Sequence, residues 1–116
     1  MERIAKIIRI ISNTYDISIT EIISQKSTND RRKTAMTILC YCCYDAILKE
    51  QTEMTLWQVS KTINCSEWLI CHSYYHIQRL RYNEAFLNDR KRMVNYEIDA
   101  IIMQLDYPNN RIESKK

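Results

Sequence analysis

The chain has no glycine in 116 residues, where average usage gives about eight. That absence excludes a whole group of sites. Phosphate loops, dinucleotide-binding fingerprints and nucleophile elbows each need a backbone that reaches positive φ or approaches a ligand without a Cβ. Tight β-hairpins also lean on glycine, which points away from an all-β fold. Proline is scarce too, and Pro108 is the single instance. No apolar run nears the ~20 residues needed to span a bilayer. The opening Met1-Glu2-Arg3-Ile4-Ala5-Lys6 lacks the uninterrupted apolar stretch of a secretory signal. Charge of one sign is not in large excess: 17 basic and 14 acidic residues give a net +3. That balance permits nucleic-acid binding without demanding it.

Hydrophobic residues make up 46% and charged residues 27% of the chain, an ordinary globular mixture. A chain of this length buries roughly two-thirds of its unfolded surface and folds without staples. The expected architecture is one all-α domain over residues 1–107, its turns built from Asn, Asp and Ser. A flexible tail is expected over 108–116, after the proline. The five cysteines are an odd number with no signal sequence, so reduced thiols and a cytoplasmic location are expected.

Ile4, Ile7, Ile8 and Ile11 recur at helical spacing and predict a first helix over about 2–14, with Arg3, Lys6 and Arg9 toward solvent. Ser18-Ile19-Thr20-Glu21 has capping-box spacing and opens a short second helix to about Gln25. Lys26 to Asp30 reads as a loop, and Asp30 as the cap of a long third helix. Ala35, Ile38, Leu39, Cys42, Cys43, Ala46 and Ile47 carry that helix to near Glu50. Gln51 to Met54 connects it to a second capping box, Thr55-Leu56-Trp57-Gln58, which opens a fourth helix through about Thr62. Ile63-Asn64-Cys65 is a tight turn with Asn64 in the left-handed conformation. Ser66 caps a fifth helix to about Arg81, Asn83 interrupts, and a sixth helix occupies about 88–105.

Leu56 to Leu80 carries the most specific local pattern. A short helix, a tight turn and a longer helix make a helix-turn-helix, in which Leu56, Val59 and Ile63 pack on Ile70, Tyr74 and Ile77. Such a unit reads DNA with the N-terminal end of its second helix in the major groove. That end offers Ser66, Glu67, Trp68, Leu69 and His72, followed by Tyr75, His76 and Arg79. The same pattern serves as plain scaffold in many proteins, and Trp68 is open to packing inside as well as to contact outside.

With these residues in place the chain resembles a known family over roughly Ile4 to Leu105. It is similar to the C-terminal DNA-binding domain of the bacterial replication initiator DnaA, a six-helix relative of the Trp-repressor module. The segment Ile11-Ser12-Asn13-Thr14-Tyr15-Asp16-Ile17-Ser18-Ile19-Thr20-Glu21-Ile22-Ile23-Ser24 resembles that family's opening. Arg32-Lys33-Thr34-Ala35-Met36 looks like its Arg-Gln-x-Ala-Met. Thr55 to Ser60 is similar to Ser-Leu-Pro-Glu-Ile-Gly, and Ile70-Cys71-His72-Ser73 to Val-Leu-His-Ala. The family's hallmark Arg-Asp-His-(Ser/Thr)-Thr is replaced here by Cys65-Ser66-Glu67-Trp68-Leu69, and Asn64 stands where the family has glycines. The resemblance therefore implies the fold and a docking mode, with specificity changed from the DnaA box. It implies a stand-alone module, because the family's ATPase domain needs phosphate-loop glycines; no nucleotide is expected. It also implies that Arg32 enters the minor groove, so that Arg32→Ala weakens binding on every sequence.

The residues expected to touch double-stranded DNA are Arg31, Arg32, Lys33, Lys61, Ser66, Trp68, Leu69, His72 and Arg79. Arg31, Arg32 and Lys33 open a helix whose free N–H groups favour anions, although a charge run also serves simply to solvate a helix. Trp68 and Leu69 stand at base-reading positions with apolar side chains, and His72 is expected to be a buried or half-buried scaffold residue. The alternative reading is a degenerate relative that binds protein through Trp68 and Leu69. No enzyme, cofactor, metal or membrane role is expected. Cys40, Cys42, Cys43, Cys65 and Cys71 read as small hydrophobes, with no Cys-x-x-Cys pair for zinc. His72 and His76, one turn apart, are the nearest approach to a metal pair. Arg90-Lys91-Arg92 is a further basic run that touches phosphate or solvates the last helix.

Overall fold

Capping boxes and apolar spacing set the helices of this chain, and the ends fall within two residues of where those signals put them. The computed structural model describes residues 2–24, 30–82 and 89–106. Among them the regular elements are α1 (Glu2–Tyr15), α2 (Ile19–Ser24), α3 (Asp30–Leu48), α4 (Leu56–Ile63), α5 (Glu67–Tyr82) and α6 (Asp89–Asp106). No strand occurs among the described residues, so the fold is all-α. The expected loop after Gln25, the interruption at Asn83 and the tail from Pro108 lie outside the described residues, as do the side chains of Arg90, Lys91 and Arg92.

A glycine-free chain still has to end its helices, and it does so three times in one way. Asp16 (φ 54°), Glu50 (φ 56°) and Asn64 (φ 55°) all take the left-handed conformation. In each case the next residue's N–H returns to the carbonyl five positions back: Ile17 to Ser12 at 3.1 Å, Gln51 to Ala46 at 2.8 Å, Cys65 to Ser60 at 3.0 Å. These are Schellman closures of α1, α3 and α4. Asn64 follows from its amide side chain, which tolerates this region. Asp16 shares that tolerance, whereas Glu50 carries no comparable local signal and the closing hydrogen bonds hold it there.

The middle helix, α3, is buried almost all round. Ile38, Leu39, Cys40, Tyr41, Cys42 and Cys43 are six consecutive buried residues. A helix that is apolar on every side belongs at the centre of a fold. It packs chiefly on α5 and on α1. From α1 it receives Ile4, Ile7 and Ile11, all fully buried, with Ile8 and Ile10 beside them. The four cysteines 40, 42, 43 and 65 are buried in this core, and Cys71 is half-buried. Burial, together with Asp45 close by, pushes the Cys42 thiol up to about 12. Cys43 is raised well above the ordinary thiol range by burial.

Two basic residues expected in solvent are instead structural. The Arg3 guanidinium pairs with Asp106 at 2.9 Å and donates to the Leu105 carbonyl at 3.4 Å. The Lys6 ammonium donates to the same carbonyl at 3.2 Å. Cations at the C-terminal end of α6 satisfy its orphan carbonyls and complement its dipole. Only Arg9 of the three is exposed. Ile98, Ile101 and Leu105 complete the seat of α6, and the Tyr15 hydroxyl donates to Glu97 at 2.6 Å.

Candidate nucleic-acid interface

Local chemistry builds the unit formed by α4, its turn and α5. The Gln58 N–H donates to Thr55 Oγ1 at 3.2 Å and the Thr55 N–H donates to Gln58 Oε1 at 2.8 Å, a closed capping box. Val59 and Ile63 then point inward and are fully buried. Asn64 turns the chain, and its side-chain Nδ2 donates to the Ile23 carbonyl at 2.7 Å. Cys65 is buried with its sulfur 3.6 Å from that of Cys40 on α3. Ser66 Oγ accepts the Leu69 N–H at 3.1 Å and so caps α5. From there Ile70, Ser73, Tyr74 and Ile77 face the core, with the Tyr74 ring stacked on Tyr41 at 5.1 Å.

The opposite face of α5 is uncovered. Ser66, Glu67, Trp68, Leu69, His72, Tyr75, His76 and Arg79 are all exposed. Trp68 retains 69% of its accessible surface and Leu69 37%. The Trp68 and His72 rings stack nearly parallel, 4.6 Å apart at 10°. This corrects the expectation for His72, which is neither buried nor half-buried: one turn after Trp68, it lies on the outer stripe. Lys61 is exposed as well, its ammonium 5.4 Å above the Trp57 ring. Trp57 is itself 59% exposed and belongs to this surface, although the sequence reading gave it no role. Two residues before Val59, it lies about 200° round the helix from the buried side, and that placement was the available signal.

The basic triplet at the start of α3 divides. Arg31 and Lys33 are exposed, and the Arg31 guanidinium reaches the Tyr15 carbonyl at 3.5 Å. Arg32 is 6% exposed, and its Nη1 donates to the Ile22 carbonyl at 2.8 Å. A guanidinium buried on a carbonyl at the end of α2 holds the scaffold, so Arg32 is not presented to a groove in this conformation. Ile22 and Ile23 are adjacent, and Asn64 holds the second as Arg32 holds the first. The end of α2 thus joins the start of α3 to the turn before α5. Arg31 and Lys33 flank Arg32 in sequence and are exposed.

Other polar concavities are less suited to an anion. A surface cleft of about 780 Å³ is lined by Arg3, Lys6, Arg9 and Glu50 to Glu53. Two of its three cations are engaged by the end of α6, and two carboxylates share its wall. Among the described residues no group of three or more His, Cys, Asp or Glu side chains is placed to hold a metal, and no helix is long and apolar enough to cross a membrane. In comparisons with known proteins, the chain matches no family model, no curated protein and no solved structure.

Proposed function

We propose that the protein binds double-stranded DNA through a helix-turn-helix, in the manner of the DnaA C-terminal and Trp-repressor-like domains. On this reading α5 lies in the major groove with Ser66, Trp68, Leu69 and His72 toward base edges. Lys61, Arg79, Arg31 and Lys33 meet the flanking phosphates. The observation that carries the reading is the contrast between the two faces of α5. One face is locked into the core by Ile70, Tyr74 and Ile77, and the other is bare from Ser66 to Arg79. A rigid helix with one free face, preceded by a tight turn and a short capped helix, is the form that enters a groove about 12 Å wide. Arg32 supports this surface from behind, by holding the end of α2.

Fluorescence anisotropy of a labelled duplex at several salt concentrations tests the proposal. Four phosphate contacts give a slope of about −3.5 in log K against log salt. Binding that ignores salt contradicts it. A second reading is favoured by one observation: two tryptophans and a leucine stand exposed on α4 and α5, at 59%, 69% and 37%. Aromatic anchors of this kind suit a protein partner. Absence of binding to any duplex at low salt selects that reading.

A further inference from the structure

The capped end of α5 has much apolar surface and few groups that read bases by hydrogen bonding. Ser66 Oγ accepts the Leu69 N–H, so its single O–H is the one donor it can turn toward a base. Glu67, exposed beside it, offers acceptors only when ionised. The first two turns run Ser66, Glu67, Trp68, Leu69, Ile70, Cys71, His72, Ser73 and contain no Arg, Asn or Gln. Those are the side chains that grip guanine or adenine with paired hydrogen bonds. What this end presents is an indole ring 69% exposed, held nearly parallel to the His72 imidazole at 4.6 Å. A stacked ring has already lost part of its torsional freedom and meets a target in a fixed orientation. In the major groove one feature of a base pair is apolar, the methyl group on C5 of thymine, which 5-methylcytosine also carries.

We propose that Trp68, fixed by its stack on His72, selects duplexes by the 5-methyl group of their pyrimidines, with His72 as the positioning residue. The inference rests on the DNA-binding reading and names the target class of that same surface. Burying one methyl group corresponds to about a fourfold change in affinity.

The test uses the full chain and four short labelled duplexes: alternating A·T, the same duplex with deoxyuridine for thymidine, alternating G·C, and the same duplex with 5-methylcytosine for cytosine. The thymine duplex is expected to bind several-fold more tightly than its uracil counterpart. Trp68→Ala brings that ratio close to one and leaves the salt slope unchanged. His72→Ala lowers the ratio, and His72→Phe, which restores a ring beneath the indole, recovers it. Both positions are exposed, so the variants keep the fold, and their helical circular dichroism checks this. Tighter binding on cytosine methylation assigns recognition to the methyl group wherever it occurs; a preference for thymine alone assigns it to thymine. Equal affinity for the thymine and uracil duplexes, with salt-dependent binding intact, overturns the inference and leaves DNA binding standing. A ratio that survives Trp68→Ala overturns it as well. Failure to bind any of the four overturns the DNA-binding reading itself.

Discussion

Two regions of this protein treat their large apolar side chains in opposite ways, although Tyr96 and Met103 on α6 are exposed as well. Along α1 and the middle of α3, every isoleucine and leucine from Ile4 to Leu39 that faces the core is 8% exposed or less. On the outer faces of α4 and α5, Trp57, Trp68, Leu69 and Tyr75 are 37–69% exposed. Burial accounts for the first set, because each side chain removed from water stabilises the fold. The second set contributes less, because each side chain keeps 37–69% of its surface in water. On the proposed DNA-binding reading, these exposed rings of α4 and α5 are the ones that meet a partner. The first region holds the molecule together, and the second is available for recognition. Arg32 shows how the division can mislead, since it has the chemistry of the second region and the place of the first.

Substitutions should separate the two regions. The largest effect on stability is expected from Ile11→Ala or Ile38→Ala, which empties a fully packed site and costs about 2–5 kcal/mol in urea unfolding. Next comes Arg32→Ala. Removing the donor leaves the Ile22 carbonyl buried without it, at a cost of about 1–3 kcal/mol. A fully stable Arg32→Ala variant with weakened DNA binding would move Arg32 back to the recognition surface. Alkaline pH weakens the core through its buried acids. Tyr15 and Tyr41 are raised above the ordinary phenol range, chiefly by burial, and Cys42 to about 12. Groups with raised values contribute stability that is complete below their unfolded values and is lost as pH rises through the folded ones. The thermal midpoint is therefore expected to fall progressively above about pH 9, with no contribution from these groups between pH 6 and 8. The double variant Arg31→Ala, Lys33→Ala is expected to change stability by less than about 0.5 kcal/mol and to flatten the salt slope by about 1.8. Trp68→Ala should have the smallest effect on unfolding, within about 0.5 kcal/mol, because that side chain is not part of the core.

Much of the scaffold could be read from the sequence. Thr55 with Gln58, Ser66 and Ser18 mark helix starts by side chains that bond to nearby backbone, so a local pattern is enough. The Ile4, Ile7, Ile11 stripe and the inward set Val59, Ile63, Ile70, Tyr74 and Ile77 follow from helical periodicity alone. What escaped depends on contacts between distant segments. Arg32 is buried because the end of α2 returns to it ten residues away in sequence. Arg3 and Lys6 leave solvent because α6 ends beside them, about a hundred residues on. Glu50 is left-handed because closing bonds at the end of α3 hold it there, against its own preference. His72 was expected to be a buried or half-buried scaffold residue. Its true setting comes from helical geometry: four residues after Trp68, it lies on the same stripe. Of the exposed residues on α4 and α5, those of α5 were legible as outward-facing and Trp57 was not.

The central claim is that the bare face of α5 exists to meet DNA, and one titration addresses it most directly. A labelled random-sequence duplex is titrated with the protein and followed by anisotropy from low to physiological salt. Micromolar binding is expected, weakening with a slope of about −3.5 as salt rises. No binding at the lowest salt would contradict it and leave the exposed tryptophans as an anchor for a protein partner.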